Sequence, residues 1–142
     1  MKKFITLTLF LLLSLVSKAD SAVEINGIYY TLMEKGQVAE VTSNPNGYTG
    51  DINIPETITY EGMEYKVISI DQKAFYQNSK LRTVTIPNSV TNISSRAFEN
   101  CGITSINIPN SITRIEDDTF SGCEYLTSIT IPENQYFLGY QG

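Results

Sequence analysis

Three stretches of the chain end alike: LRTVTIP (81–87), ITSINIP (103–109) and LTSITIP (126–132). Pro87, Pro109 and Pro132 follow one another at steps of 22 and 23 residues. Phe75, Phe98 and Phe120 keep the same period, each after a small or hydroxyl side chain (Ala74, Ala97, Thr119). Ile70, Ile93 and Ile115 stand five residues before those Phe, and Asn78, Cys101 and Cys123 three residues after them. One residue is missing before Ile103, which accounts for the shorter step. A period of this size constrains a chain more than its composition can. Each copy is one structural unit that buries its apolar face only by stacking on its neighbours.

The pattern inside each copy gives the geometry. Leu81, Val84 and Ile86, then Ile103, Ile106 and Ile108, then Leu126, Ile129 and Ile131 read L-x-x-L-x-L. The alternation in its last part predicts a short strand with its apolar side chains on one face. Twenty-odd residues with this pattern resemble a leucine-rich repeat. The expected fold is therefore a β-rich solenoid of about three coils, whose strands pair in parallel at roughly 4.8 Å spacing. The predicted core is Ile70, Phe75, Leu81, Val84, Ile86, Ile93, Phe98, Ile103, Ile106, Ile108, Ile115, Phe120, Leu126, Ile129 and Ile131. The Pro after each strand has no N–H and stops the pairing. Ser89, Ser111 and Asn134 fall where this repeat class usually holds Asn, bonded to backbone groups as the strand turns away. Residues 89–93 and 111–115 alternate again and predict a second short strand on another side of the coil. The Phe-bearing segment after it reads as a turn or a single helical turn.

IPNSVTNISSRAFENC and IPNSITRIEDDTFSGC are similar to the BspA-like leucine-rich repeats. The resemblance covers 65–132 and reaches an upstream block in which Ile52, Ile54, Pro55 and Ile58 repeat the strand-Pro register. The chain departs from the pattern at Asn78, in a slot where Cys is usual, and at Ser94 and Glu116, where Gly is usual. After Pro132 the pattern decays, with Gln135 where Val90 and Ile112 stood. The resemblance implies a surface or secreted protein that adheres to host or microbial surface proteins.

Residues 1–19 have the layout of a secretory signal peptide: Lys2 and Lys3, an apolar run from Phe4 to Val16, and Ser17 and Ala19 before a cut at Asp20. The apolar run is 13 residues, short of the ~20 a membrane span needs. The expected location is exported: secreted, periplasmic or cell surface, with no membrane span after cleavage. Removing 1–19 leaves seven basic against fifteen acidic side chains, a balance that disfavours nucleic acid. Residues 20–64 read as an N-terminal β-meander cap with a degenerate repeat, its turns marked by Asn26-Gly27, Glu34-Lys35-Gly36 and Asn46-Gly47. Residues 65–132 hold the three coils. Residues 133–142 read as a tail, or as the start of a repeat in a longer protein. Tyr136, Phe137 and Leu138 are candidates to cover the last coil; left uncovered, that coil offers end-to-end self-association.

Chemistry-bearing groups are sparse. The chain has no His, which removes Ser-His-Asp and Cys-His sites, and it carries no phosphate-cradling glycine loop. No enzyme activity, cofactor or metal site is expected. Cys101 and Cys123 fall at one coil position, within reach of a disulfide; buried free thiols are the favoured reading. Glu116, Asp117 and Asp118 lack the spacing of a calcium loop and read as a solvated bend. Tyr29, Tyr30, Tyr48, Tyr60 and Tyr65 read as cross-strand packing, with binding as the alternative. The candidate binding face is the outward side of the strand ladder: Thr83, Thr85, Ser105, Asn107, Ser128 and Thr130, uncharged and small, with Arg82 at its flank. Its expected partners are proteins or glycans at a cell surface or matrix.

Overall fold

The computed structural model describes residues 22–133. The cleavage site, residues 134–142 and the slot at Asn134 therefore lie outside the described residues. Ten strands and no helix make up the described chain. They are β1 (Val23–Ile25), β2 (Ile28–Met33), β3 (Val38–Val41), β4 (Gly50–Asn53), β5 (Thr57–Tyr60), β6 (Met63–Ile70), β7 (Leu81–Thr85), β8 (Asn92–Ile93), β9 (Ser105–Asn107) and β10 (Ser128–Thr130).

Two ladders run up the stack. The first has the order β4-β7-β9-β10, every pair parallel. Val84 pairs with Ile106 and Ile106 with Ile129, so equivalent repeat positions sit in register. The second ladder contains β3, β6 and β8, again parallel, with Val41, Ile70 and Ile93 in line. It carries an antiparallel extension on each side: β1-β2 joined to β3, and β5 folded back on β6.

The N-terminal segment is a meander through β3, as its turn pairs require, and it is also continuous with the stack. β3 lies one step before β6 in one ladder, and β4 one step before β7 in the other. Tyr48, between them, takes the place of the repeat Phe. Its ring lies 4.8 Å from Phe75, which stacks on Phe98 at 5.0 Å, and Phe98 on Phe120 at 5.4 Å. The core is therefore a column of aromatic rings flanked by Ile, Leu and Val from both ladders.

Two expectations are corrected. Ile129 is 40 % exposed, and Phe120, Leu126 and Ile131 are only half-buried. Within the described residues the last coil has a neighbour on one side alone, so its inward side chains lose half their cover. Residues 111–115 form no strand, whereas 92–93 do. The Phe-bearing segments are turns with no helix; each contains two left-handed residues, Lys73 and Gln77, Arg96 and Asn100, Asp118 and Gly122.

The departures from the repeat pattern have local causes. Asn78 Oδ1 accepts a hydrogen bond from Tyr48 N at 2.7 Å, satisfying a buried amide that a thiol would serve poorly. Gly102 stands alone where the other repeats have two residues, Ser79-Lys80 and Glu124-Tyr125. A Cβ there would lie 2.1 Å from the Ser79 carbonyl oxygen, so only glycine fits the tightened path.

Candidate interaction face

The first ladder turns its apolar positions inward and leaves those between them outside. Ladder pairing aligns Asp51, Thr83, Ser105 and Ser128 in one row. One pleat further on, Asn53 pairs with Thr85 and Asn107 with Thr130, forming a second row. Thr85, Ser105, Asn107, Ser128 and Thr130 are exposed and Thr83 is half-buried. All six residues expected on this face are brought together there.

The face is not free of charge, contrary to the expectation. Asp51 was missed because its block was read as a degenerate repeat. It stands beside Thr83, whose hydroxyl donates to Asp51 Oδ1 at 2.9 Å. Arg82 Nη2 donates to Asp51 Oδ2 at 3.1 Å. Both ends of that pair are exposed, so it adds only about 0–1 kcal/mol of stability. The Ile-Pro register around Ile54 and Pro55 was the signal that could have placed Asp51 on the face.

Beside the rows, where the strands end, a shallow groove of about 410 Å³ passes Pro87, Pro109 and Pro132 and is edged by Asn88, Asn107 and Asn110. A smaller depression of about 200 Å³ lies on the face between Thr83, Thr85, Ser105 and Asn107.

The other candidates resolve into structural roles. Tyr30, Tyr48 and Tyr65 are buried. The Tyr48 hydroxyl donates to Thr42 O at 2.7 Å and accepts from Tyr29 N at 3.0 Å. Burial pushes the Tyr48 phenol up to about 12 and the Tyr30 phenol higher still. Glu116 pairs with Arg114 at 3.1 Å and Asp118 with Arg96 at 3.5 Å. Among the described residues no cluster of three or more potential metal ligands occurs. Ser111 Oγ donates to Val90 O at 2.6 Å, the bond expected of its slot; Ser89 Oγ makes none. No helix of the described residues is long and apolar enough to cross a membrane.

Comparison with known proteins agrees with this ladder geometry. The family model of the BspA type leucine rich repeat region matches residues 51–141 in six copies. The chain belongs to the BspA-type leucine-rich repeat family. A leucine-rich repeat protein from Bacteroides ovatus is 36 % identical, with a TM-score of 0.72 over 80 % of this chain and 30 % of that one. This chain thus spans less than a third of that relative. The pneumococcal vaccine antigen PcpA is similar at 18 % identity and a TM-score of 0.59, over 84 % of this chain and 40 % of its own. A leucine rich cell surface protein from Faecalibacterium prausnitzii matches at 20 % identity and a TM-score of 0.50, over 84 % and 45 %. These last two share the fold alone. No curated protein matches the chain.

Proposed function

We propose that this BspA-type chain is an exported, non-enzymatic interaction module whose ladder face adheres to proteins at a host or microbial surface. The observation that carries the reading is the double row of small polar side chains held in register on a parallel ladder. Fixed strands present hydrogen-bonding groups at regular spacing with their backbone already ordered, which lowers the ordering cost on binding. In this reading residues 1–19 direct export, 20–64 close the N-terminal end of the stack, and 65–132 carry the face. Export also fits the surface protein and the vaccine antigen that share this fold. Among the described residues β10 pairs on one side alone, and in this reading that edge is the route for end-to-end self-association.

A glycan is the second reading. It is favoured by the amides of Asn88, Asn107 and Asn110 beside the proline groove, since sugars are bound by amides set next to apolar surface. A panel of extracellular-matrix and bacterial surface proteins, run beside a glycan array, separates the two. Saturable binding to a protein with a silent array supports the proposal. Binding confined to the array overturns it.

A further inference from the structure

Cys101 and Cys123 stand at the same place in consecutive coils, three residues after stacked Phe98 and Phe120. Their sulfur atoms are 3.6 Å apart and unbonded. Cys101 is buried and Cys123 is half-buried, with its thiol donating to Phe98 O at 2.9 Å. One reachable sulfur backed by one sheltered sulfur is the arrangement that thiol–disulfide exchange requires: the first is attacked from solvent and the second resolves. The two sulfurs close to the ~2.05 Å of a bond through side-chain motion, because the coils are already in register.

We propose that Cys101 and Cys123 form a reversible dithiol–disulfide pair that fastens the coil ending at Pro132 to the coil ending at Pro109. The oxidant is a low-molecular-weight disulfide. The Cys123 thiolate attacks one of its sulfurs. The reagent's S–S bond breaks, the electron pair leaves with the first thiolate, and Cys123 carries a mixed disulfide. Cys101 then gives its proton to that departing thiolate and attacks the Cys123 sulfur. The second reagent thiolate leaves and takes a proton from water. Two protein thiols are oxidised, and one external disulfide is reduced to two thiols.

The order of the steps follows from the surroundings. A hydrogen bond from the Cys101 thiol lowers Cys123 by favouring its thiolate. The same bond, together with burial, pushes Cys101 up. Cys123 therefore ionises first, and it is also the one solvent reaches. Among the described coils, the one it fastens has the least cover, as Phe120, Leu126 and Ile129 show. The preceding coil has no such pair, because Asn78 in that slot is bound to Tyr48 N.

The test equilibrates the reduced chain with excess oxidised glutathione at neutral pH, then measures intact mass, free thiols after denaturation, and amide hydrogen exchange. The expected product has lost two hydrogens, has no free thiol and carries no glutathione. Exchange across 119–131 slows by about thirtyfold, the lower end of what a cross-link of this kind contributes. The Cys101→Ser variant keeps one glutathione on Cys123, because the resolving sulfur is gone. If that variant does not fold, the wild-type product alone decides. Two thiols remaining in the wild type, a glutathione adduct that persists there, or an exchange pattern unchanged by oxidation each overturns the proposal.

Discussion

Phe98→Ala tests the stacked core most severely. The side chain is fully buried between Phe75 and Phe120, with interplanar angles of 9° and 15°. Removing a buried Phe costs about 3–5 kcal/mol, a large share of the ~5–15 kcal/mol that holds a small domain together. With a urea slope near ~1.5 kcal/mol per M, the midpoint falls by roughly 2–3 M. Phe120→Ala is the internal control. Phe120 is half-buried with one described ring neighbour in the column, so its loss costs roughly 1–3 kcal/mol. Unfolding is followed by far-UV circular dichroism and by the fluorescence of the nine Tyr, Tyr48 beside Phe75 among them. Two probes are needed because repeat arrays can lose their outer units separately. A Phe98→Ala midpoint within about 0.5 M of wild type, or a Phe120→Ala loss larger than that of Phe98→Ala, refutes the column.

Asn78→Cys restores the usual residue of its slot yet should destabilise by about 1–3 kcal/mol, because Tyr48 N loses its acceptor; chemical denaturation measures it, and a stabilised variant contradicts the assignment. Gly102→Ala should cost about 1–3 kcal/mol through its clash with the Ser79 carbonyl, read as a lowered melting temperature beside a Thr113→Ala control at an exposed position, where little change is expected. Stability should fall as pH rises from 10 to about 12, since burial raises the Tyr48 phenol across that window, and the Tyr30 phenol further, while unfolded phenols ionise from 10. Folding then binds protons, and stability is lost as they leave. Tyr48→Phe should be less stable at pH 7 and show a shallower alkaline loss, and an equally steep fall would place the cause elsewhere.

The repeat made most of this architecture legible. Spacing of Pro87, Pro109 and Pro132 located β7, β9 and β10, and the Phe series located the aromatic column. What stayed hidden depends on contacts across coils. Tyr48 standing in the Phe slot has no sequence period to announce it; its role comes from β3 and β4 pairing with β6 and β7. Asp51 was likewise obscured, though it stands on the face that pattern reading assembled from Thr83 to Thr130. Residues 111–115 alternate as 89–93 do, yet only 92–93 pair. Alternation alone therefore does not make a strand. Ile129 reads as core by pattern and is exposed by position, because a repeat does not show in its own sequence what covers it.

Binding by the outward ladder face can be tested directly. The direct measurement is the affinity of whichever protein the surface panel identifies, for the wild type and for Thr85→Lys, Asn107→Lys and Thr130→Lys combined. All three positions are exposed, so the circular dichroism spectrum and melting temperature should stay close to wild type. At least about a tenfold loss of affinity is expected, equivalent to ~1.4 kcal/mol. Unchanged affinity in a folded triple variant would place the binding site elsewhere on the molecule.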